Sequence, residues 1–544
     1  MLQTKYIFVS GGVLSGLGKG AVTASLALLL KSHGYQVVPV KCENYLNLDS
    51  GLINPIEHGD PFLCEDGAET DMDLGTYERF LDQNLSRQNF ITMGQIYKSV
   101  IDKERNFFYH GEDVEAIPHV TDEIISRIKA VTKKFKADFV LVELGGTVGE
   151  YQNALYYEAS RIMKLKYKDP VLNVHVSYLP TPPHLGEPKT KPTQLSVKLL
   201  NSMGIQPDFI VARADRFIDN RRLDRFALFC NVEPDHIISA PDVENILELP
   251  LIFAKQKFSQ KVLSLFKLPV TQPKLKAWHH LVQLIKQPKK QTVTIAIVGK
   301  YFATGDYHLS DSYAALIEAL NHAGWHNQVK LKLKQINAET LGSNPSQLLS
   351  DCQGIIVPIG WGPRGVEGMI QAIQYSRENK IPFLGLCFGM QLAVVEFSRH
   401  VAGLARANTT EADPHTPYPV IHIIPEQKRN LKLRAYGGTM RLGAWDCKVK
   451  SATLAYKAYK TNLISERHRH RYEFNQNYVS QLESAGLIIS GRSIKENLVE
   501  IIELPTSKHP FFIGTQGHPE YKSRPLSPHP IFIDFIQAAK LSLA

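Results

Sequence analysis

The sequence predicts an α/β fold with two doubly wound domains, because strand–helix alternation begins twice along the 544 residues. The first start is a short aromatic and β-branched segment at residues 6–9, followed by a glycine-rich loop and an apolar-periodic segment at residues 21–32. These features predict a buried strand, a loop and a helix. The second start is the apolar segment at residues 293–301, which predicts the first strand of a new domain.

A change of composition separates the two domains. Residues 268–291 are rich in Pro, Lys and Gln, and they contain one short amphipathic piece at residues 275–285. This composition is typical of a linker between domains. We therefore expect one domain at residues 1–267 and another at residues 292–544.

The composition excludes several classes of protein. Hydrophobic residues make up 44% of the chain and charged residues 21%, which is enough apolar material for two or more cores. The net charge of +9 is spread along the chain and suits small anionic ligands, and no signature of a nucleic-acid-binding module occurs. The six cysteines lack disulfide or metal spacing, no apolar run approaches membrane length, and the N-terminus lacks a signal peptide. We therefore expect a cytoplasmic protein that binds neither nucleic acid nor membranes.

The glycine-rich loop at residues 10–20 reads S-G-G-V-L-S-G-L-G-K-G. Such a loop lets successive backbone N–H groups converge on phosphate oxygens, and Lys19 adds a positive charge at the start of the helix. Val13 stands where the first glycine of a phosphate loop is expected, and Gly20 stands where Ser or Thr usually holds Mg²⁺. Phosphate binding is the favoured interpretation, and a plain tight turn between strand and helix is the alternative.

Carboxylates elsewhere are candidates to hold the Mg²⁺ that Gly20 cannot bind. Residues 65–73 contain five acids and end at Asp73, and a predicted buried strand at residues 138–143 delivers Glu143 to the edge of a sheet. A solvated acidic turn is the alternative for the first of these segments. Lys41, at the end of the second predicted strand, is expected near the phosphate loop.

A second basic loop follows further along the first domain. Residues 186–194 read G-E-P-K-T-K-P-T-Q, in which Lys189 and Lys191 alternate on a proline-bounded stretch without a hydrophobic period. This pattern predicts a loop that binds a second polyphosphate, and an ordinary surface loop is the alternative.

The second domain contains a candidate nucleophile. Residues 381–391 read I-P-F-L-G-L-C-F-G-M-Q, which predicts a strand, a sharp turn at Cys387 and a helix. The start of a helix favours a thiolate. His518 and Glu520 are two residues apart, so in an extended chain they lie on one face, where the acid orients the imidazole against the thiol. Backbone N–H groups of residues 358–362 and of Phe388 are candidate oxyanion donors.

These motifs resemble those of known families. The surroundings of Cys387, His518 and Glu520 resemble the triad of class I glutamine amidotransferases. The segments G-G-V-L-S-G-L-G-K-G, D-G-A-E-T-D-M-D-L-G, E-L-G-G-T-V-G and K-T-K-P-T-Q resemble the synthetase domain of CTP synthases. With G-G-T-M-R-L-G and R-H-R-H-R-Y-E in the second half, the resemblance spans essentially the whole chain in the family's order.

The resemblance implies a phosphate-loop synthetase domain and a class I glutaminase domain, which together aminate UTP to CTP with ATP and with ammonia from glutamine. It implies Mg²⁺ as the cofactor, CTP as an inhibitor, GTP as an activator and a nucleotide-dependent homotetramer. Catalysis is expected from Cys387, His518 and Glu520, and Mg²⁺ binding from Asp73 and Glu143.

The resemblance also implies three groups of binding residues. The residues expected at the ATP phosphates and adenine are Ser15, Gly16, Leu17, Gly18, Lys19, Gly20, Lys41 and Arg213. Those expected at UTP or CTP are Ser15, Glu150, Gln152, Lys189, Lys191, Gln194 and Arg225. Those expected at glutamine are Gly360, Phe388, Gln391 and Glu411.

Several positions depart from the family pattern. Glu150-Tyr151-Gln152 stands where D-x-E is usual, Lys41-Cys42-Glu43-Asn44-Tyr45 where K-x-D-P-Y is usual, and Arg225 where lysine is usual. The amide of Gln152 is expected to weaken inhibition by CTP. Extra residues between Lys300 and Ser312, with Pro363 in place of an aromatic residue, are expected to weaken activation by GTP.

Two other functions stay open at this point. One is a glutamine-dependent amidoligase that acts on another acceptor, and the other is a catalytically weak filament or regulatory paralogue. The K-T-K-P-T-Q loop argues against the first, since it resembles a grip for a triphosphate-bearing acceptor. The joint presence of Lys19, Asp73, Glu143, Cys387, His518 and Glu520 argues against the second.

Overall fold

A computed structural model describes residues 3–55, 59–302, 312–342 and 344–543. The chain divides into two compact units, of which the first comprises Met1–Leu48 and Asp73–Val282 and the second comprises Asp49–Met72 and Gln283–Ala544. The segment Asp49–Met72 thus belongs to the second unit, although the sequence on both sides of it belongs to the first. The expected α/β class is confirmed by sheets flanked by helices in both units.

The first unit is built on a seven-stranded sheet of order β5-β2-β6-β1-β7-β8-β9, in which every neighbouring pair is parallel. Its strands are β1 (Lys5–Gly12), β2 (Val37–Glu43), β5 (Phe90–Thr92), β6 (Phe139–Leu144), β7 (Val171–Tyr178), β8 (Phe209–Ala214) and β9 (Ile237–Pro241). Every residue of β1 and β6 is buried, as expected for central parallel strands that are covered on both faces.

The helices of the first unit alternate with these strands. They are α1 (Lys19–Ser32), α2 (Asp73–Leu81), α3 (Met93–Arg105), α4 (Thr121–Phe135), α5 (Ala154–Leu165), α6 (Lys191–Ser202), α7 (Asn220–Cys230), α8 (Leu249–Lys255) and α9 (Phe258–Leu265). The helix α10 (Lys276–Lys286) covers the amphipathic piece expected at residues 275–285, and the chain passes from the first unit to the second within it.

The second unit is built on a nine-stranded sheet of order β11-β10-β12-β13-β21-β20-β19-β16-β17. Pairing is parallel from β11 to β21 and antiparallel from β21 to β17. The strands of this sheet are β10 (Thr292–Gly299), β11 (Lys330–Asn337), β12 (Gly354–Val357), β13 (Phe383–Leu386), β16 (Arg441–Val449), β17 (Leu463–His470), β19 (Ile488–Ser493), β20 (Val499–Glu503) and β21 (Phe512–Thr515).

Two small sheets and a set of helices complete the second unit. The small sheets consist of β3 (Phe62–Leu63) with β4 (Glu69–Thr70), and of β14 (Ala407–Thr409), β15 (Tyr418–Ile423) and β18 (Tyr472–Phe474). The helices are α11 (Ala314–His326), α12 (Ser346–Leu349), α13 (Val366–Glu378), α14 (Phe388–His400), α15 (Pro425–Lys432), α16 (Leu454–Tyr459), α17 (Val479–Ser484) and α18 (Pro530–Leu541).

The alternation of side chains along β10 explains why this sheet is covered on both faces. Ala296 and Val298 lie in one hydrophobic core, whereas Ile295 and Ile297 lie in another. Because successive side chains of a strand point to opposite faces, each face of the sheet packs against its own layer of helices. Among the described residues, the longest and most apolar helices still fall short of what crossing a membrane requires.

Candidate functional site

A glycine-rich loop joins β1 to α1 in the first unit. Val13, Gly16 and Gly18 adopt left-handed backbone angles, with φ values of 84°, 71° and 80°. The helix begins at Lys19, earlier than residue 21, where the sequence predicts its start. The first N–H groups of an α-helix lack intrahelical partners and form a site for anions such as phosphate. The loop therefore has the backbone form of a phosphate site.

The side chains of this loop differ in exposure. Lys19 is buried, and its Nζ donates a hydrogen bond to Gly146 O at 2.7 Å. Burial lowers the pKa of Lys19, and the nearby ammonium of Lys41 lowers this pKa further. Ser15 and Gly16 are exposed, whereas the side chain of Leu17 is buried. Leu17 thus anchors the loop, and its contribution to a phosphate site comes from its backbone.

The space beside Gly20 is filled by a carboxylate. A Cβ atom added at Gly20 would lie 2.1 Å from Asp73 Oδ1, closer than any real contact. Asp73 is the first residue of α2, so the glycine lets this carboxylate approach the start of α1. Where phosphate loops usually carry a hydroxyl, the space is therefore filled here by a carboxylate from another element.

Lys41 is surrounded by three carboxylates of the first unit. Its Nζ lies 2.8 Å from Glu143 Oε1 and 3.3 Å from Glu43 Oε1, and it also contacts Asp73 Oδ2. The hydroxyl of Tyr77 donates a hydrogen bond to the other oxygen of Glu143. Burial raises the pKa values of Glu143 and Glu43. For Asp73, burial is outweighed by the ammonium of Lys41, so the pKa of Asp73 is lowered.

The sequence predicted two of these carboxylates and missed the third. Lys41 and Glu43 are two residues apart on β2, so both side chains lie on one face of the strand. That spacing was the available signal for Glu43.

The donor set fits Mg²⁺ when phosphate completes it. Among the residues that the structure describes, no group of three or more His, Cys, Asp or Glu side chains is arranged for a metal ion. Mg²⁺ in nucleotide sites commonly uses one or two carboxylates, and it takes its other ligands from phosphates and water. Asp73 and Glu143 match that pattern, because both carboxylates converge on Lys41 beside the phosphate loop.

The acidic segment at residues 65–73 is divided between the two units. Within the second unit, Arg467 Nε donates to Glu65 Oε2 at 2.9 Å and Arg469 Nε donates to Glu69 Oε1 at 2.7 Å. Glu65 and Glu69 are thus partners of buried arginines. Neither the metal-binding interpretation of the segment nor the alternative of a solvated turn predicted this role.

The turn after β6 uses one acidic side chain internally. Glu150 Oε1 accepts hydrogen bonds from Thr147 N and Thr147 Oγ1, both at 2.6 Å, and Glu150 Oε2 accepts one from Asn44 Nδ2 at 3.0 Å. Gln152 is exposed in the short helical turn Tyr151–Asn153. The two residues expected at CTP therefore differ, since Glu150 stabilises its own loop and Gln152 faces solvent.

A basic cavity of about 370 Å³ lies in the first unit at the K-T-K-P-T-Q loop. Its lining consists of Glu187, Pro188, Lys189, Thr190, Lys191, Arg221, Arg222 and Arg225. Lys189 pairs with Glu187, and Lys191 Nζ lies 5.5 Å from the centroid of the Phe229 ring. Five cations around one acid create a site for a polyanion.

The structure brings Lys189, Lys191 and Arg225 together as the sequence predicts, and it adds two arginines. Arg221 and Arg222 lie in the first turn of α7, and a cluster of three arginines in N-R-R-L-D-R was the available signal for them. Gln194 is buried beside this loop and donates to Thr190 Oγ1 at 3.1 Å. Arg213, at the end of β8, pairs with Asp242 at 2.9 Å.

In the second unit, Cys387 lies at the sharp turn between β13 and α14. Its φ of 52° and ψ of −101° are outside the regions that residues with a side chain usually adopt. A Cβ atom at Gly385 would lie 2.8 Å from the carbonyl carbon of Gly389, and one at Gly389 would lie 1.8 Å from Val357 O. The two glycines therefore make the turn sterically allowed.

His518 is held by Glu520. His518 Nδ1 lies 2.7 Å from Glu520 Oε1, and both side chains are buried. Burial alone lowers the pKa of His518, but the charges of Glu520 and Cys387 outweigh it and raise this pKa to about 10. The raised pKa therefore keeps the imidazole of His518 protonated at neutral pH, next to Cys387.

The strand β17 contacts both members of this pair through its backbone. Cys387 Sγ donates to Arg469 O at 3.8 Å, and His518 N donates to Arg467 O at 2.7 Å. Gln516 Nε2 also donates to Cys387 Sγ at 3.6 Å, a contact that the sequence interpretation missed. Gln516 lies two residues before His518, which places both on one face of an extended chain and was the available signal.

Three of the residues expected at glutamine are held by the following contacts. Phe388 follows Cys387 directly, and Gln391 Nε2 donates to Tyr472 O at 2.9 Å and to Gln516 Oε1 at 3.2 Å. Glu411 Oε1 accepts a hydrogen bond from Gly362 N at 2.7 Å. Burial raises the pKa of Glu411.

A cavity of about 390 Å³ in the second unit reaches Glu411. Its polar and aromatic lining includes Trp361, Tyr436, Arg469, Arg471 and Tyr472. A carboxylate and two guanidinium groups in one cavity suit the amino and carboxylate groups of a free amino acid. Most of the extra residues expected to weaken GTP activation, at positions 303–311, lie outside the described residues.

Comparisons with known proteins match a separate family model to each half of the chain, and the first match also spans Asp49–Met72, which belongs to the second unit. The model of the family described as CTP synthase N-terminus matches residues 5–268, and the model described as glutamine amidotransferase class-I matches residues 308–538. The glutaminase domain of Trypanosoma brucei CTPS with bound acivicin is a solved structure that is 36% identical. It covers 46% of this chain and 94% of that chain, with a TM-score of 0.42.

Two curated relatives match almost the entire length. The CTP synthase of Caldanaerobacter subterraneus subsp. tengcongensis is 50% identical over 538 residues, covering 98% of each chain. The CTP synthase of Pyrococcus furiosus is 49% identical over 540 residues, covering 99% of this chain and 98% of the relative. The chain therefore belongs to the CTP synthase family of glutamine-dependent ligases, which convert UTP to CTP in pyrimidine biosynthesis.

Proposed function

We propose that the first unit phosphorylates and aminates UTP, while the second unit releases the ammonia from glutamine. The observation that carries this proposal is the division of the chemistry. Lys19, Lys41, Asp73 and Glu143 converge beside a phosphate loop in one unit, and Cys387, His518 and Glu520 lie together in the other.

In the synthetase reaction, the 4-oxygen of UTP attacks the γ-phosphorus of ATP, and ADP leaves. Ammonia then adds at carbon 4, the phosphate leaves, and loss of a proton gives CTP. Lys19 and Lys41 offset the negative charge of the transferring phosphoryl group. The cluster of five cations at the basic cavity holds the triphosphate of UTP, with Gln194 beside it.

We propose that Asp73 and Glu143 hold Mg²⁺, which supplies positive charge to the ATP phosphates. Gly20 makes room for Asp73 at the loop, and Tyr77 orients Glu143 by donating to one of its oxygens. Lys41 contacts both carboxylates, and its positive charge opposes the effect of burial on their pKa values.

In the glutaminase reaction, the Cys387 thiolate attacks the side-chain amide carbon of glutamine. The C–N bond breaks, His518 gives a proton to the departing nitrogen, and a thioester remains on Cys387. Water, deprotonated by His518, then hydrolyses the thioester to glutamate. Glu520 stabilises the imidazolium, and the backbone N–H groups of Gly360, Trp361 and Phe388 stabilise the oxyanion.

We propose that glutamine enters through the cavity that reaches Glu411. Glu411 is suited to the amino group of the substrate and Arg471 to its carboxylate, since both side chains line that cavity. Activation by GTP, assembly into a homotetramer and a cytoplasmic location are further proposals, and they rest on the family resemblance.

The function is tested by supplying UTP, ATP, Mg²⁺ and glutamine to the purified chain and separating the nucleotides. CTP is expected in proportion to the glutamate formed. An amidoligase with another acceptor would hydrolyse glutamine without forming CTP, and a catalytically weak paralogue would form little of either product. Either result would contradict the proposal.

Removing a carboxylate from the proposed metal site is expected to raise the requirement for Mg²⁺. In Asp73→Asn and Glu143→Gln, the Mg²⁺ concentration for half-maximal ammonia-dependent CTP synthesis should rise at least about tenfold. Even the loss of a residue that only hydrogen-bonds to a metal ligand typically lowers metal affinity or activity about 10–100-fold. Asp102→Asn, an exposed carboxylate on α3, is the matched control. An unchanged Mg²⁺ titration in both variants would place the metal elsewhere.

Restoring a carboxylate at Gln152 is expected to strengthen inhibition by CTP. A hydrogen bond from a ribose hydroxyl to a charged acceptor is worth about 1 kcal/mol more than one to an amide, which corresponds to roughly fivefold in affinity. Gln152 is exposed, so the change should leave the fold intact.

The measurement is the CTP inhibition constant in Gln152→Glu, with Gln272→Glu as an exposed control in the same unit. UTP saturation should not change in either variant. A CTP inhibition constant that is equal in Gln152→Glu and the unmodified chain would contradict the hypothesis.

A further inference from the structure

The second unit contains a buried lysine that the proposed mechanism does not use. Lys300 follows β10 directly, and it is 1% exposed. Its backbone N–H donates to Tyr313 Oη at 3.1 Å, which holds the residue in place. A buried ammonium is costly unless it is paired, so its partners indicate what it does.

The ammonium of Lys300 holds one peptide group of the candidate oxyanion loop. Its Nζ donates to Trp361 O at 3.1 Å and also contacts Gly362 O. Glu411 accepts from Gly362 N at 2.7 Å. Trp361 C=O and Gly362 N–H belong to the same peptide group, so Lys300 and Glu411 fix its orientation from opposite ends. Gly362 has a φ of 71°, and glycine also adopts many other backbone conformations readily. The orientation of this peptide group is therefore fixed by its hydrogen-bond partners.

The same ammonium lies against the residue that follows the nucleophile. Lys300 Nζ is 4.2 Å from the centroid of the Phe388 ring, within the range of a cation–π interaction. The methylene stem of Lys300 also packs against Gly360, where an added Cβ atom would lie 2.9 Å from Lys300 Cδ. One side chain thus contacts both segments that supply the candidate oxyanion donors.

We propose that Lys300 is a positioning residue for the glutaminase reaction, which aligns the oxyanion donors by fixing the Trp361–Gly362 peptide and the Phe388 ring. The inference rests on the glutaminase function proposed for Cys387. Among the contacts that the described residues show for Lys300, none is with Cys387 or His518, so Lys300 acts through the loop. A misplaced donor loses most of its value, because stabilisation of an oxyanion depends on preorganised geometry.

The charge of Lys300 depends on its neighbours. Burial lowers the pKa of Lys300 to about 8, while Glu411 and Glu339 oppose this shift and Arg364 adds to it. Arg364 donates to Lys300 O and pairs with Glu339 at 2.7 Å. The ammonium is therefore present below a pH of about 8 and is lost as the pH rises through that value. The pKa of His518, raised to about 10, leaves that residue charged in this range.

The test compares Lys300→Met with Lys332→Met, which makes the same change at an exposed position of β11. In Lys300→Met, kcat for glutamine hydrolysis should fall roughly 100-fold with little change in KM, the scale expected for small misplacements of catalytic groups. Ammonia-dependent CTP synthesis and the rate at which iodoacetamide alkylates Cys387 should match those of the unmodified chain. A change in KM with kcat unaltered would overturn the proposal. So would a fall in the alkylation rate of Cys387 as large as the fall in kcat.

The pH profile provides a second test that needs no variant. Glutamine hydrolysis by the unmodified chain should decline from about pH 7 to about pH 9, while ammonia-dependent synthesis should not share that decline, because Lys300 loses its proton in this range. In Lys300→Met the decline should be absent. A flat profile in the unmodified chain, or the same decline in both proteins, would overturn the proposal. If the unmodified chain hydrolysed no glutamine at any pH, the proposed function itself would fail.

Discussion

Cys387→Ala is expected to abolish CTP synthesis from glutamine and to leave synthesis from added ammonia unchanged. Without the thiolate, the side-chain amide of glutamine has no nucleophile, and removing the nucleophile of a catalytic triad costs about as much as removing all three members, on the order of 10⁶ in kcat. The synthetase chemistry is proposed for the other unit, so added ammonia should support CTP synthesis without any hydrolysis of glutamine.

The decisive measurement is the pair of CTP formation rates, with glutamine and with ammonium chloride as nitrogen source. Cys352→Ala is the matched control, since Cys352 is buried in the same unit but lies in a different hydrophobic core from Cys387. It should support both reactions. Loss of the ammonia-dependent rate in a folded Cys387→Ala protein would contradict the separation of the two chemistries.

The parts of the fold that follow from local pattern were predictable. The strands β1 and β6 were expected at residues 6–9 and 138–143, and each is buried along its whole length. A continuous apolar run flanked by glycine indicates a buried strand from the local sequence alone, and tertiary contacts then stabilise that strand. The sharp turn at Cys387 was predictable for a similar reason. Gly385 and Gly389 flank it in the sequence, and a side chain at either position would clash with the backbone.

The role of the segment Asp49–Met72 could not be predicted from local pattern. Its residues group with the second unit because Glu65 and Glu69 pair with Arg467 and Arg469, which lie some four hundred positions away in the chain. Pairings over such separations leave no periodicity in either segment. The R-H-R-H-R motif was visible, but its partners and its backbone contacts to Cys387 and His518 were not.

The candidate phosphate site also depends on a contact between separate segments, which the sequence does not show. The missing hydroxyl at Gly20 indicated that carboxylates must hold the metal, and Asp73 and Glu143 were identified as candidates. The structure adds the reason for the glycine, which is the 2.1 Å separation between its absent Cβ atom and Asp73 Oδ1. The sequence could show that a side chain was absent, but the atom that occupies its space comes from another helix.

Lys19→Ala is expected to prevent CTP synthesis with either nitrogen source, because phosphoryl transfer precedes the use of ammonia. Catalysis of this step consists almost entirely of positioning and charge stabilisation, and removing one cation that acts on the transferring group costs on the order of 10³-fold or more. Lys19 is placed for this role by the left-handed loop before it, and its buried ammonium already points to the carbonyl of Gly146.

Glutamine hydrolysis in Lys19→Ala should stay intact, which separates a lost phosphate contact from a misfolded protein. Lys133→Ala, an exposed lysine on α4, is the matched control. Lys19→Met is a second variant that keeps the buried volume and removes the charge, and it should be as inactive as Lys19→Ala. Since the stem of Lys19 lies against Gly11, where an added Cβ would be 2.7 Å from Lys19 Cδ, a larger Lys19→Arg side chain should not restore the rate. Ammonia-dependent synthesis near the unmodified rate in Lys19→Met would remove the lysine, and with it the loop, from the proposed phosphoryl transfer.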